Sequence, residues 1–204
     1  MKLYQSVGPN PATVKMFIAE KGLDVERVEV DLMGGENRRE PYASQVNPAG
    51  QTPALELDDG SFLTEITAIC EYLEEKHPEP PLIGSTPEER AQTRMWLRRL
   101  DHKVCEPMAN GFRFGEGLQL FQNRLRCVPE ASPGLKAIAR DGLEWLEANV
   151  KGPWIAGDRF TQADVQLYCF LDFGARVGQP LDPKLTKLAA WFERVKARPS
   201  AAAA

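Results

Sequence analysis

The chain has 204 residues, 43% hydrophobic and 26% charged. At roughly 100–200 residues per domain, this is the balance of a folded globule of one large or two small domains. The formal net charge of −4, with Arg38-Arg39 and Arg98-Arg99 set among acids, lacks the basic stripe of a nucleic-acid binder.

Leu3-Tyr4 open a short strand that runs into the turn Ser6-Val7-Gly8-Pro9-Asn10-Pro11. Asn10 suits a helix N-cap, Pro11 the first helical position and Gly22 the left-handed stop. They predict a helix over about residues 11–21, with Val14, Phe17 and Ile18 on one face. Val25, Val28 and Val30 alternate with Glu29 and Asp31 as a strand would. A polar loop over residues 34–40, a short helix and the segment Asn47-Pro48-Ala49-Gly50-Gln51-Thr52-Pro53 follow. Residues 54–57 and Phe62-Leu63 flank Asp58-Asp59-Gly60, a strong hairpin signal. A helix then carries Ile66, Ile69, Cys70 and Leu73 on one face, giving the order β-α-β-α-β-β-α.

His77-Pro78-Glu79-Pro80-Pro81 cannot continue that helix and reads as a linker. Thr86-Pro87-Glu88-Glu89 is a capping box. It starts a helix expected to turn Ala91, Met95, Leu100, Val104 and Met108 inward, with a kink at Pro107. Two later helices are marked by Leu135, Ile138, Ala139, Leu143 and Leu146, and by Leu185, Leu188, Ala189, Phe192 and Val195. Residues 1–76 are thus expected to form an α/β module, 77–86 a linker and 87–204 an all-helical module. The most apolar stretch, residues 165–171, is interrupted by Gln166 and falls far short of the ~18 residues that span a bilayer. Residues 1–6 lack the apolar core of a signal peptide, so a cytoplasmic protein without membrane contact is expected.

Cys70, Cys105, Cys127 and Cys169 are widely spaced and form no C-x-x-C pair, and the chain has 2 histidines. This spacing suits buried free thiols in a reducing compartment, and no metal site is expected. Three segments carry chemistry. Pro53, just before a strand, fits either an ordinary trans turn or a cis bond that turns the Thr52 backbone outward to pair with an extended peptide. Glu65, at a helix start, fits either a favourable dipole interaction or a clamp. In the clamp its carboxylate holds an ammonium group while the Ile66 and Thr67 amides hold a carboxylate. The turn bearing Ser6 and Asn10 fits either plain capping or stabilisation of a bound thiolate. Lowering a thiol pKa by about two units from ~8.5 needs roughly 2.7 kcal/mol.

Taken in order, the strand, the Ser-bearing turn, Asn-Pro-x-Gly-Gln-Thr-Pro, the hairpin and Leu-Thr-Glu-Ile-Thr-Ala-Ile resemble the thioredoxin-like half of cytosolic glutathione transferases. The atypical bacterial and fungal members are the most similar. The segment from Trp154 to Asp164 resembles the capping segment of that family's helical half, with Thr161 capping, Asp164 reciprocating and Phe160 stapling onto Val165. Trp191-Phe192-Glu193-Arg194-Val195-Lys196-Ala197-Arg198-Pro199 resembles its ending. The resemblance implies a thioredoxin-like domain followed by an all-α domain, with glutathione as co-substrate and no other cofactor. It makes Pro53 cis, pairs Thr52 with the cysteinyl backbone, and gives the γ-glutamyl head to Glu65 and the Ile66 amide. The glycyl end falls to Gln51 with Asn37 or Arg38.

Ser6, then Asn10, are the residues the resemblance offers for the thiolate. Residues 104–121 of the helical domain would line a pocket for a small hydrophobic electrophile, and a homodimer is implied. Ile66 departs from the family's usual serine after the clamp glutamate, and no cysteine occupies the first helical turn. The implied activity is glutathione conjugation in detoxification. The alternatives are a glutathione- or ligand-binding protein without turnover and a glutathione-dependent peroxidase.

Overall fold

In the computed structural model, which describes residues 1–204, the first strand organises the α/β part. β1 (Lys2–Gln5) pairs in parallel with β2 (Glu26–Glu29) and antiparallel with β3 (Ala54–Glu56), which pairs antiparallel with β4 (Phe62–Thr64). The strand order is β2-β1-β3-β4. Leu3 stands opposite Leu55, and both are fully buried together with Val14, Phe17, Ile69 and Leu73. Tyr4 points to the other face of the pleat. Its ring meets Tyr42 at 6.3 Å and Phe62 at 5.7 Å.

Helix α1 spans Pro9–Glu20 and begins earlier than the sequence suggests. Its N-cap is Gly8 at φ 123°, so Asn10 is a first-turn residue and not the cap. Pro9 takes the first helical position, where a missing N–H costs nothing. Gly22 at φ 64° provides the expected stop, and the Leu23 amide reaches back to the Ile18 carbonyl at 3.1 Å. The short helix expected after the polar loop is a single wide turn, Tyr42–Val46, preceded by a 3₁₀ turn at Glu36–Arg38. α2 covers Ile66–Lys76.

The chain divides into two compact units, Met1–Leu82 with Pro199–Ala204, and Ile83–Arg198. The first therefore keeps the prolines assigned to a linker, and it also takes the last residues, which sequence reasoning gave to the helical module. The physical reasons are local. The buried Lys21 ammonium donates to the His77 and Pro80 carbonyls at 2.7 Å each and pairs with buried Glu74. At the other end, Ser200 is buried and its hydroxyl donates to Glu20 of α1.

The second unit contains α3 (Pro87–Leu100), α4 (Glu106–Phe114), α5 (Leu118–Phe121), α6 (Ser132–Asn149), α7 (Gln162–Arg176) and α8 (Thr186–Lys196). Thr86 caps α3, accepting from the Glu89 amide at 3.2 Å. The inward face of α3 is Thr93, Trp96, Leu97 and Leu100. Ala91 and Met95, expected inside, are exposed, because stepping back by fours from buried Met108, Val104 and Leu100 reaches Trp96. A wide turn at Asp101–Cys105 joins α3 to α4 ahead of Pro107, which lacks the N–H of a regular turn. Gly142 of α6 packs on it so closely that a Cβ there would lie 2.2 Å from the Lys103 carbonyl oxygen. Ile138, also expected inside, is 50% exposed.

α7 is the core helix, buried continuously over its first ten residues. Thr161 and Asp164 form the capping box. Burial pushes the Asp164 carboxyl up to about 6, against hydrogen bonds from Ile155, Trp191 and Thr161 that pull it down. The Phe160 ring, just ahead of the box, meets Trp154 at 5.0 Å, edge to face.

Candidate functional site

The segment 47–53 is built to hold its backbone still. Asn47 closes an Asx turn, with its Oδ1 accepting from the Ala49 amide at 3.0 Å and its carbonyl accepting from Gly50 at 2.8 Å. Its Nδ2 donates to the Gln51 carbonyl at 2.9 Å, and the same oxygen accepts from the Tyr42 hydroxyl at 2.6 Å. Tyr42 is buried, and that burial pushes its phenol well above the ordinary value. With the Gln51 backbone fixed from beneath, its side chain stays exposed. The Thr52-Pro53 bond is cis.

Asn37 is only 2% exposed, and its Nδ2 donates to the Gly50 carbonyl at 2.6 Å. It is a pin of the loop, turned away from solvent where a ligand carboxylate would lie. Arg38 is exposed and lies across Gly50. At Gly50, φ 59°, a Cβ would come 2.7 Å from Arg38 Cδ and 2.9 Å from the Asn37 carbonyl. Glycine is required there for both the turn and the overlying guanidinium stem. Tyr42 and Asn47 are the supporting residues that sequence reasoning missed. The Asn-Pro-x-Gly spacing signals the Asx turn at Asn47. Nothing local signals Tyr42, whose partner is nine residues away.

Ser6 follows β1 and is 6% exposed. Its Oγ lies 2.5 Å from Thr52 Oγ1 and 3.3 Å from the Val7 carbonyl oxygen. The structure thus joins two of the sequence-predicted residues, Ser6 and Thr52, directly. Asn10 is half-buried in the first turn of α1 and makes no capping bond. Tyr4, in β1, donates its hydroxyl to Glu56 at 3.0 Å. Burial, then the Glu56 hydrogen bond and charge, raise its pKa, so it is poorly suited to ionise for a thiol.

Glu65 stands just ahead of α2 at φ 67°, ψ 125°, the one positive φ outside glycine. Such a conformation is sparsely populated for a residue with a Cβ and concentrates at ligand sites. Glu65 is exposed and its side chain caps nothing in α2. Its own carbonyl accepts from Ile69 at 3.0 Å, which fixes the register of the first turn. The amides of Ile66 and Thr67 lie in that turn, where intrahelical acceptors are lacking. Carboxylate and amides together suit a zwitterionic amino-acid head.

In the helical unit, Phe112 meets Phe173 at 5.2 Å and Phe121 at 6.1 Å, both edge to face. No cluster of three or more His, Cys, Asp or Glu side chains is arranged to hold a metal ion. No helix is long and apolar enough to cross a membrane.

Two family models match. "Glutathione S-transferase, N-terminal domain" covers residues 3–81 and "Glutathione S-transferase, C-terminal domain" covers residues 105–199. Glutathione S-transferase 2 of Saccharomyces cerevisiae is 31% identical over 201 residues, spanning 95% of this chain and 84% of the relative. Maleylacetoacetate isomerase of Pseudomonas aeruginosa is 42% identical over 195 residues, spanning 93% and 89%. The crystal structure of Gtt2 from Saccharomyces cerevisiae superposes with a TM-score of 0.92 at 31% identity, covering 99% of both chains. With its thioredoxin-like and helical units both matched, the chain belongs to the glutathione S-transferase family.

Proposed function

We propose that this chain binds reduced glutathione and transfers its sulfur to small apolar electrophiles. The observation that carries the reading is Glu65, an exposed carboxylate held at φ 67° beside the first amides of α2. In this reading Glu65 takes the γ-glutamyl ammonium, and the Ile66 and Thr67 amides take its carboxylate. Ile66 adds no hydroxyl of its own. The Thr52 backbone ahead of Pro53 pairs with the cysteinyl residue, and Gln51 with Arg38 takes the glycyl carboxylate. Asn37 acts through the loop, by holding Gly50. The thiolate receives the Ser6 hydroxyl, with Asn10 and the amides at the start of α1 close in sequence. Residues 104–121, with the Phe112 and Phe121 rings, supply apolar surface for the electrophile. The protein contributes thiolate stabilisation and positioning, with no covalent protein intermediate. The setting proposed is a cytoplasmic homodimer active in detoxification.

The identity of 42% to a maleylacetoacetate isomerase favours one second reading, in which the same thiolate adds to a conjugated alkene and then leaves. Both readings use one glutathione site and differ in what happens to the tripeptide. The purified chain, incubated with glutathione and a chlorodinitrobenzene, is expected to form the thioether and consume one glutathione per product, well above the uncatalysed rate. A cis-enone that isomerises while glutathione is returned intact supports the second reading. Oxidised glutathione formed from an organic hydroperoxide marks a peroxidase. Binding without any turnover leaves a ligand-binding member of the family.

A further inference from the structure

Ser6 and Thr52 are 46 residues apart in sequence, yet their hydroxyl oxygens lie 2.5 Å apart. That separation is at the short end for an O–H···O bond, so one of the two protons lies between them. A hydroxyl carries one proton and two acceptor lone pairs, which makes the direction decisive. If Ser6 donates to Thr52, it has no proton left for a ligand. If Thr52 donates to Ser6, the Ser6 proton is held only by the Val7 carbonyl at 3.3 Å, a long and weak contact. A thiolate is a far better acceptor than that carbonyl, because the bond becomes charge-assisted. Accepting from Thr52 also polarises Ser6 and strengthens the bond it donates. Burial of Ser6 to 6% exposure keeps water from competing.

We propose that Thr52 is a positioning residue for sulfur activation: its side-chain hydroxyl donates to Ser6 Oγ and frees the Ser6 proton for the glutathione thiolate. The inference rests on the reading of Ser6 as the thiolate's donor and adds to it a role for the Thr52 side chain. Thr52 then serves the ligand twice, through its backbone towards the cysteinyl residue and through its hydroxyl by way of Ser6. The branched Cβ restricts χ1, which favours a fixed direction for that hydroxyl.

The test is the pH titration of the bound thiol, followed by ultraviolet thiolate absorbance, with glutathione affinity measured alongside by calorimetry. Ser6→Ala is expected to raise the bound thiol pKa. Thr52→Val is expected to raise it by about half to one unit, with glutathione affinity within about threefold because the backbone pairing is kept. Thr52→Ser is expected to restore the original titration, and Thr52→Ala, should valine not fold, to behave as valine does. In the Ser6→Ala background, removing the Thr52 hydroxyl is expected to add nothing. If Ser6→Ala moves the titration and Thr52→Val does not, the Thr52 role is overturned while the Ser6 reading stands. If Thr52→Val shifts the pKa equally with and without Ser6, the relay is overturned. If Ser6→Ala leaves the pKa unmoved, the Ser6 reading falls and takes the relay with it.

Discussion

Glu65 shows how one residue can be readable as chemistry and hidden as conformation. A carboxylate at a helix start is visible in the sequence. Its φ of 67° is set by how β4 hands the chain to α2, and no local pattern encodes that. A non-glycine residue in such a region stores about 1–3 kcal/mol, while glycine there forfeits about 0.5–1 kcal/mol through the freedom of the unfolded chain. Glu65→Gly is therefore expected to raise unfolding stability by about 1 kcal/mol. The same change is expected to weaken glutathione binding at least about tenfold, since a hydrogen bond to a charged group contributes ~1.5–3 kcal/mol. Urea unfolding and calorimetry on one preparation measure both. A variant that loses affinity without gaining stability would show that the backbone at this position is not strained. Asn37 is the opposite case. It looks like a ligand contact in sequence, but loop residues have no periodicity to tell inward from outward, and its amide holds Gly50.

Among the elements, the Thr86 N-cap and the Thr161 capping box were legible because each is closed within three residues, although the Glu89 carboxylate accepts from the Ser85 amide and leaves the box at Thr86 half made. Helix phase was less so. Met95 was expected inside, yet it is exposed, and Trp96 is buried with the Arg99 guanidinium 4.9 Å from its ring centre. Least legible was the contact that ties α1, α2 and residues 77–82 together. Lys21, at the end of α1, has its side chain fully buried against Glu74 of α2 and also holds two carbonyls of the proline segment. Glu74 in turn accepts from the Leu82 amide at 3.2 Å. A lysine and a glutamate separated by a strand, a loop and a hairpin give no sequence signal of pairing. Removing one partner leaves the other charge buried and uncompensated, which costs about 3–5 kcal/mol. Lys21→Met is expected to lower stability by that amount, and adding Glu74→Leu is expected to restore part of it. Equal losses in the single and double variants would place the cost in the freed carbonyls rather than in the orphaned carboxylate. Chemical denaturation of the two variants beside the parent decides between them.

For the molecule as a whole, strand and helix order was legible because hydrophobic period changes from two to three or four at each junction. The return of the last residues to the first unit was not, since a run of alanines after Pro199 has no period to read. The structure gives that return a mechanical content. Residues 199–203 form a 3₁₀ turn, Ser200 is buried, and its hydroxyl donates to Glu20 near the end of α1. α1 begins just after Ser6 and ends beside Lys21, so its stability bears on both the turn proposed to hold the thiolate and the proline segment. Deleting Pro199–Ala204 removes the buried hydroxyl and the packing on α1 while leaving α7 and its capping box untouched. Local opening of α1 is then expected to become easier by about 1.4 kcal/mol, a tenfold faster amide hydrogen exchange at Phe17 and Ile18. Exchange in α7, over residues 165–171, is expected to stay as it was. Faster exchange in α7 with α1 unchanged would assign the last residues to the helical unit, the assignment that sequence alone suggests. Glutathione affinity should fall together with α1 protection, because the amides and the Ser6 turn at the start of that helix lose their support.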